Sequence, residues 1–237
     1  MTLSRSIRRL KEEARRLSRS ENIPHHEALD RIARREGFRA WSLLAARAGP
    51  EIPSRAVFAG LEPGDLLLIA ARPGQGKTLM GLRLAVEAMR AGRAAAFFTL
   101  EYAPRDIERR FGQIGADLAL YRDRFAFDTS DDICAGTIVE RLDAAAPGTL
   151  VVIDYLQLLD QRRDKPPLGD QVRCLRAFAK ERGLVVAFIA QVDRTYDPAV
   201  KPFPGMDDIR LPNPLDLGLF DKACFLNGGS VRLHPGG

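Results

Sequence analysis

Apolar positions follow two different rhythms along this chain, and the change between them lies near residue 58. In residues 4–19, Ile7, Leu10, Ala14 and Leu17 recur at three- and four-residue spacing while arginines fill the other positions, which predicts an amphipathic helix. Pro24 suits the start of a second helix carrying Ala28, Leu29, Ile32 and Ala33, which Gly37 can end. A third short helix is expected from about Arg39 to Arg47, anchored by Trp41, Leu43 and Leu44. The run Gly49-Pro50-Glu51-Ile52-Pro53 reads as a linker. The expected organisation is a helical unit over 1–48, a linker over 49–57 and a larger domain over 58–237.

After residue 58, short continuous apolar runs alternate with helical stretches. Strands are predicted at Asp65–Ala71, Ala94–Leu100, Arg124–Asp128, Gly148–Asp154 and Leu184–Gln191, with two short ones at Ala223–Leu226 and Ser230–Leu233. Helices are predicted between them, from Lys77 to Ala91, Pro104 to Ile114, Ala135 to Ala144 and Leu168 to Glu181. Alternation of this kind implies an α/β fold, a mainly parallel sheet with helices on both faces.

Charge changes the picture in one place. Residues 1–50 hold 12 Arg and Lys against 6 Asp and Glu, while the remainder holds 24 against 25. The basic character of the chain, net +5, therefore belongs to the helical unit. That unit either attracts nucleic acid phosphates or presents a solvated arginine-rich face. The apolar runs are too short to cross a bilayer, and the N-terminus, charged from Arg5, lacks the pattern of a signal peptide. Cys134, Cys174 and Cys224 fit neither a disulfide framework nor a zinc motif and are expected as reduced thiols in or near the core. His25 and His26 are expected at the surface of a helix start. A soluble cytoplasmic protein with no membrane association is the expectation.

The chemistry begins at Ala71-Arg-Pro-Gly-Gln-Gly-Lys-Thr78. The segment follows an apolar strand and opens a helix, which is the setting a phosphate-binding loop requires. Ala71, Arg72, Pro73, Gly74, Gln75 and Gly76 form the curl whose N–H groups face phosphates, and the helix N-terminus adds positive potential. Lys77 is placed to reach the β- and γ-phosphates of ATP, and the Thr78 hydroxyl to ligate Mg2+. Ala71 stands where the motif usually has a first glycine.

Leu150-Val-Val-Ile-Asp154 is an apolar strand ending in a carboxylate, and Asp154 is suited to the metal. Tyr155 follows it, so a catalytic base must come from another strand. Glu101, after Phe97-Phe-Thr-Leu100, either orients and deprotonates the attacking water or is an ordinary acid leading into a helix. Gln191 closes a further strand as a candidate γ-phosphate sensor. The loop from Val192 to Asn213 carries Arg194, Lys201 and Arg210. It is long enough to suggest binding, and a flexible surface loop remains the alternative.

Together these segments resemble the C-terminal ATPase domain of the DnaB-type bacterial replicative DNA helicase, in the RecA-like superfamily. The resemblance rests on residues 71–78, Thr99-Leu-Glu-Tyr102, Val152-Ile-Asp-Tyr-Leu-Gln-Leu158, Leu175-Arg-Ala-Phe-Ala-Lys-Glu181 and Ala190-Gln-Val-Asp-Arg194. It covers about Phe58 to Leu226. It implies Lys77 and Thr78 on phosphates and magnesium, Asp154 on magnesium, Glu101 as base and Gln191 as sensor. It also implies that the loop after Gln191, with its Asp208-Ile-Arg210, faces single-stranded DNA. Set against that resemblance, the basic helical unit of about fifty residues is expected to stand in place of the family's large N-terminal domain. The sequence also stops at Gly237, where the resemblance implies a continuing strand with a Lys and an Arg for the neighbouring subunit, leaving Arg232 as the candidate substitute. A homo-oligomer or a protein partner supplying an arginine finger is therefore expected, with slow turnover in isolation. Two readings follow: an ATP-hydrolysing helicase or translocase on single-stranded DNA, or an ATP-dependent regulatory or adaptor protein without unwinding activity.

Overall fold

The computed structural model describes residues 7–21, 23–41, 44, 54–156, 159, 165–211 and 213–236. The helical unit forms around its own small core. Helix α1 (Ile7–Glu21) packs on α2 (His25–Arg35), joining Leu10, Ala14, Ala28, Ile32, Ala33 and Leu44 in one cluster with Leu17, Leu29 and Trp41 at its margin. Asp30 accepts the backbone N–H of Trp41 at 2.8 Å, which fixes the turn after α2. His25 and His26 are exposed, as expected. Most of the third helix and the Gly49–Pro53 linker lie outside the described residues, as do Gln157 and Leu158. From Ser54 the chain is helical (α3, Ser54–Ala59), where the linker was expected to run to residue 57. The cause is an apolar side: Val57 is buried, and Arg93 lies 5.5 Å over the Phe58 ring.

The remaining elements alternate as predicted. They are β1 (Leu66–Ala71), α4 (Lys77–Arg90), β2 (Ala95–Thr99), α5 (Pro104–Gln113), β3 (Phe125–Asp128), α6 (Ala135–Arg141), β4 (Leu150–Asp154), α7 (Leu168–Arg182), β5 (Val185–Gln191), β6 (Lys222–Asn227) and β7 (Ser230–Pro235). Single 3-10 turns at Leu118–Tyr121, Met206–Asp208 and Leu217–Leu219 were not anticipated. The strands form one seven-stranded sheet in the order β3-β2-β4-β5-β1-β6-β7. Every pairing is parallel except β6 with β7.

Alternation of side chains sends successive residues of the central strands to opposite faces. Leu66, Leu68 and Ala70 meet α6 and α7 on one face, whereas Leu67, Ile69 and Ala71 meet α3, α4 and α5 on the other. Both faces are apolar, which is why β1, β4 and β5 read as continuous apolar runs. The result is a RecA-like fold with helices on both sides of the sheet. Cys134 and Cys224 are buried in it, but Cys174, expected with them in or near the core, lies exposed on α7. Among the described residues no helix is long and apolar enough to cross a membrane.

Helix α4 approaches the sheet most closely at Gly81. A Cβ there would stand 2.9 Å from Val152 Cγ1 and 3.2 Å from Ile189 Cδ1. Alanine adds about 1 kcal/mol of helix propensity over glycine, but overpacking a filled core costs about 1–3 kcal/mol. Gly81→Ala is expected to destabilise the fold slightly, and Gly81→Val by more, in chemical denaturation. Equal midpoints for wild type and Gly81→Val would show that the contact is not tight.

Candidate functional site

The sheet register aligns the ends of four strands at one edge. Ala71 pairs with Gln191, Thr99 with Asp154, and Asp154 with Ile189. The loops beyond these residues surround a cleft of ≈ 430 Å³ lined by Gly74, Lys77, Thr78, Glu101, Asp154 and Gln191 among others. Ala71 itself belongs to β1, and its methyl packs in the core, so the loop tolerates a side chain at this position. The conformational demand falls instead on Gly74 and Gly76, whose φ values of 76° and 87° favour glycine. Gly76 then leads directly into α4, whose first residues are Lys77 and Thr78.

Asp154 is the most buried charged group of the cleft. The Thr78 hydroxyl donates to its Oδ2 at 2.8 Å. Burial pushes the Asp154 carboxyl up to about 6; the Thr78 hydrogen bond opposes that shift, and the Glu101 carboxylate reinforces it. The Lys77 ammonium lies within 3.5 Å of the Arg72 carbonyl. Burial lowers its pKa, while Asp154 and Glu101 pull the other way. Thr99 Oγ1 accepts the Glu101 N–H at 3.1 Å, setting the turn that brings Glu101 to the rim.

Two aromatic and basic groups join the site without having been assigned there. The Tyr102 hydroxyl stands 3.5 Å from Thr78 Oγ1, and the Arg110 guanidinium lies 3.9 Å over the Tyr102 ring. Arg110 lines the cleft, and its buried Nε has no hydrogen-bond partner among the described residues. The only sequence signal for it is its place beside Ile107 and Phe111, the buried stripe of α5. An arginine flanking an apolar stripe is common on any helix, so the signal is weak.

The 192–213 loop is tied down. Val192 bridges Ile209, Arg210 N–H donates to the Gln191 carbonyl at 2.8 Å, and the buried Tyr196 donates its hydroxyl to the Lys201 carbonyl at 2.7 Å. Lys201 is ion-paired with Asp208 at 2.7 Å. Arg194, Lys201 and Arg210 all lie outside the cleft lining, and Arg210 is joined to the lining residue Gln191 by its backbone N–H. Arg232 stacks 4.6 Å over the Phe203 ring of this same loop.

Comparison with known proteins bears on the family and the fold. The family model described as the KaiC ATPase matches residues 28–203. The replicative DNA helicase DnaB of Pasteurella multocida is 26% identical, with 64% of this chain and 40% of that protein covered. DnaB of Geobacillus stearothermophilus is 28% identical over the same shares. The chain thus spans about two fifths of the length of these curated relatives. Among solved structures, one isolated ATPase domain superposes with a TM-score of 0.57 at 19% identity, covering 73% of this chain and 74% of that one. A DnaB-like replicative helicase, solved in a study of its interactions with primase, gives 0.60 at 16% identity, covering 92% and 65%. The chain belongs to the KaiC ATPase family, and its RecA-like core is similar to the ATPase domain of the replicative helicase DnaB.

Proposed function

We propose that this chain binds ATP with magnesium in the cleft and hydrolyses it, and that hydrolysis is coupled to single-stranded DNA. The observation that carries the reading is the Thr78 hydroxyl on Asp154 at the foot of a cleft shared with Lys77 and Glu101. A divalent cation fits these residues, because the Thr78 hydroxyl and the buried Asp154 carboxylate place two hard oxygen donors 2.8 Å apart at the foot of the cleft. Among the described residues no cluster of three metal-ligating side chains exists, so Thr78 and Asp154 would share the ion with phosphate oxygens and water. Magnesium held by Thr78 and Asp154 would neutralise negative charge on the phosphates during transfer.

The chain's own groups divide the remaining work. The N–H groups of residues 74–78 cradle phosphates, and Lys77 adds a positive charge. Arg110, left partly unsatisfied, adds a second cation to the same cleft. Glu101 orients the attacking water and accepts its proton. Gln191 senses the γ-phosphate and is joined by its backbone carbonyl to Arg210, at the base of the loop proposed to face DNA. Arg15, Arg16 and Arg19, exposed on α1, offer a basic surface of their own to DNA phosphates.

One observation favours the adaptor reading. Arg232 and Lys201 are engaged within their own chain, with Phe203 and Asp208. Slow intrinsic turnover that rises with DNA or with a partner is therefore expected. The deciding experiment measures ATP hydrolysis of the full chain with and without single-stranded DNA, at low and moderate salt. DNA stimulation that weakens with salt is expected, with a shallower salt dependence after Arg15→Gln, Arg16→Gln and Arg19→Gln together. Absent DNA affinity at low salt, in the presence of ATP, would leave the adaptor reading standing.

A further inference from the structure

Strands β6 and β7 are joined by Gly228 and Gly229 alone, at φ values of 59° and 83°, with Asn227 paired to Ser230. Two residues at positive φ make the tight turn that matches the twist of the flanking strands. This turn sits between two parts of the molecule that the proposed function uses. On one side, Gly228 N–H donates to Gln75 Oε1 at 2.9 Å. On the other, Asn227 Nδ2 donates to the Pro202 carbonyl at 2.8 Å and stands 3.4 Å from the Tyr196 hydroxyl. Arg232, two residues beyond the turn's end, holds the Phe203 ring from β7.

Gln75 is flanked by Gly74 and Gly76, so its side chain is the contact that this stretch of the phosphate loop makes with its surroundings. Filling the cradle with phosphates orders the backbone on either side of Gln75, and the Gly228 bond then holds the turn in place. The Asn227 and Arg232 contacts pass that order to Pro202 and Phe203. The base of the same loop is already joined to β5 through Arg210 and Gln191. We propose that the β6–β7 turn is a coupling element that carries occupancy of the phosphate loop, through Gln75, Gly228 and Asn227, to the 196–206 segment. The proposal rests on the nucleotide-binding reading and adds to it a second route from site to loop, acting at the segment's far side.

Hydrogen exchange of the full chain, with magnesium and a non-hydrolysable ATP analogue, tests it. In the wild type the analogue is expected to slow exchange at amides 74–78 and also at 196–206. Asn227→Ala lies at a strand end outside the cleft and is expected to keep analogue affinity and protection at 74–78. It should lessen the response of 196–206 by about two- to tenfold, the effect of one hydrogen bond. Arg232→Leu leaves the turn intact and should lower the same response by a similar factor, which guards against a folding defect in the first variant. An unchanged loop response in both variants would overturn the coupling. So would a silent loop in the wild type while amides 74–78 are protected. Lack of protection at 74–78 in the wild type would instead overturn the nucleotide reading, and the coupling with it.

Discussion

A Glu101→Gln protein is expected to bind Mg-ATP as the wild type does and to hydrolyse it about 10²–10⁴ times more slowly, the usual effect of losing a general base. The substitution keeps size and hydrogen bonding while removing the carboxylate that would take a proton from water. Its backbone anchor, Glu101 N–H to Thr99 Oγ1, involves no side-chain oxygen of Glu101 and survives the change. Glu101 is also exposed, so little folding energy depends on it. Separate measurements of nucleotide affinity and single-turnover hydrolysis distinguish chemistry from binding. Hydrolysis at the wild-type rate would remove Glu101 from the catalytic role and leave it as a surface acid.

Lys77→Ala is expected to act earlier, on binding and turnover together. A unit charge about 4 Å from a phosphate oxygen, at an effective dielectric near 20, contributes about 4 kcal/mol, or roughly 10³-fold. Arg110 and the N–H groups of the loop remain, so some nucleotide affinity should persist. The fold should survive, because Lys77 begins α4 and makes one long contact, to the Arg72 carbonyl. Calorimetric titration with ATP and an unfolding curve would be measured side by side. A folded Lys77→Ala protein with wild-type affinity and turnover would refute the assignment of the phosphate loop.

Much of this arrangement is legible in the order of residues alone. Strands buried on both faces must be apolar at every position, so β1, β4 and β5 stood out as unbroken runs, and a strand followed by Gly-Lys-Thr and a helix points to phosphates through local geometry alone. The linker boundary was harder to read. The sequence Ser54-Arg-Ala-Val57 has no strong breaker and takes its helical form against α4, a surface about twenty residues away in the chain.

The order of residues was enough for the elements, the phosphate loop, and the candidate residues that end apolar strands, because each depends on periodicity or on backbone freedom within a few neighbouring positions. Which of these groups meet was settled by the packing of distant segments. The 2.8 Å contact between Thr78 and Asp154 spans 76 residues, and it exists because β1 and β4 run parallel on either side of β5, with Asp154 level with Ile69, just short of the end of β1. Arg110 joined the cleft for a similar reason: α5 packs beside α4 on one face of the sheet, and a helical arginine carries no mark of what its flank will face. Arg232 meets the Phe203 ring because the antiparallel return of β7 carries it back toward the 192–213 loop, a contact its place in the sequence does not announce. Contacts between distant segments follow from strand order and helix placement, and neither is encoded in the spacing of residues along a single stretch.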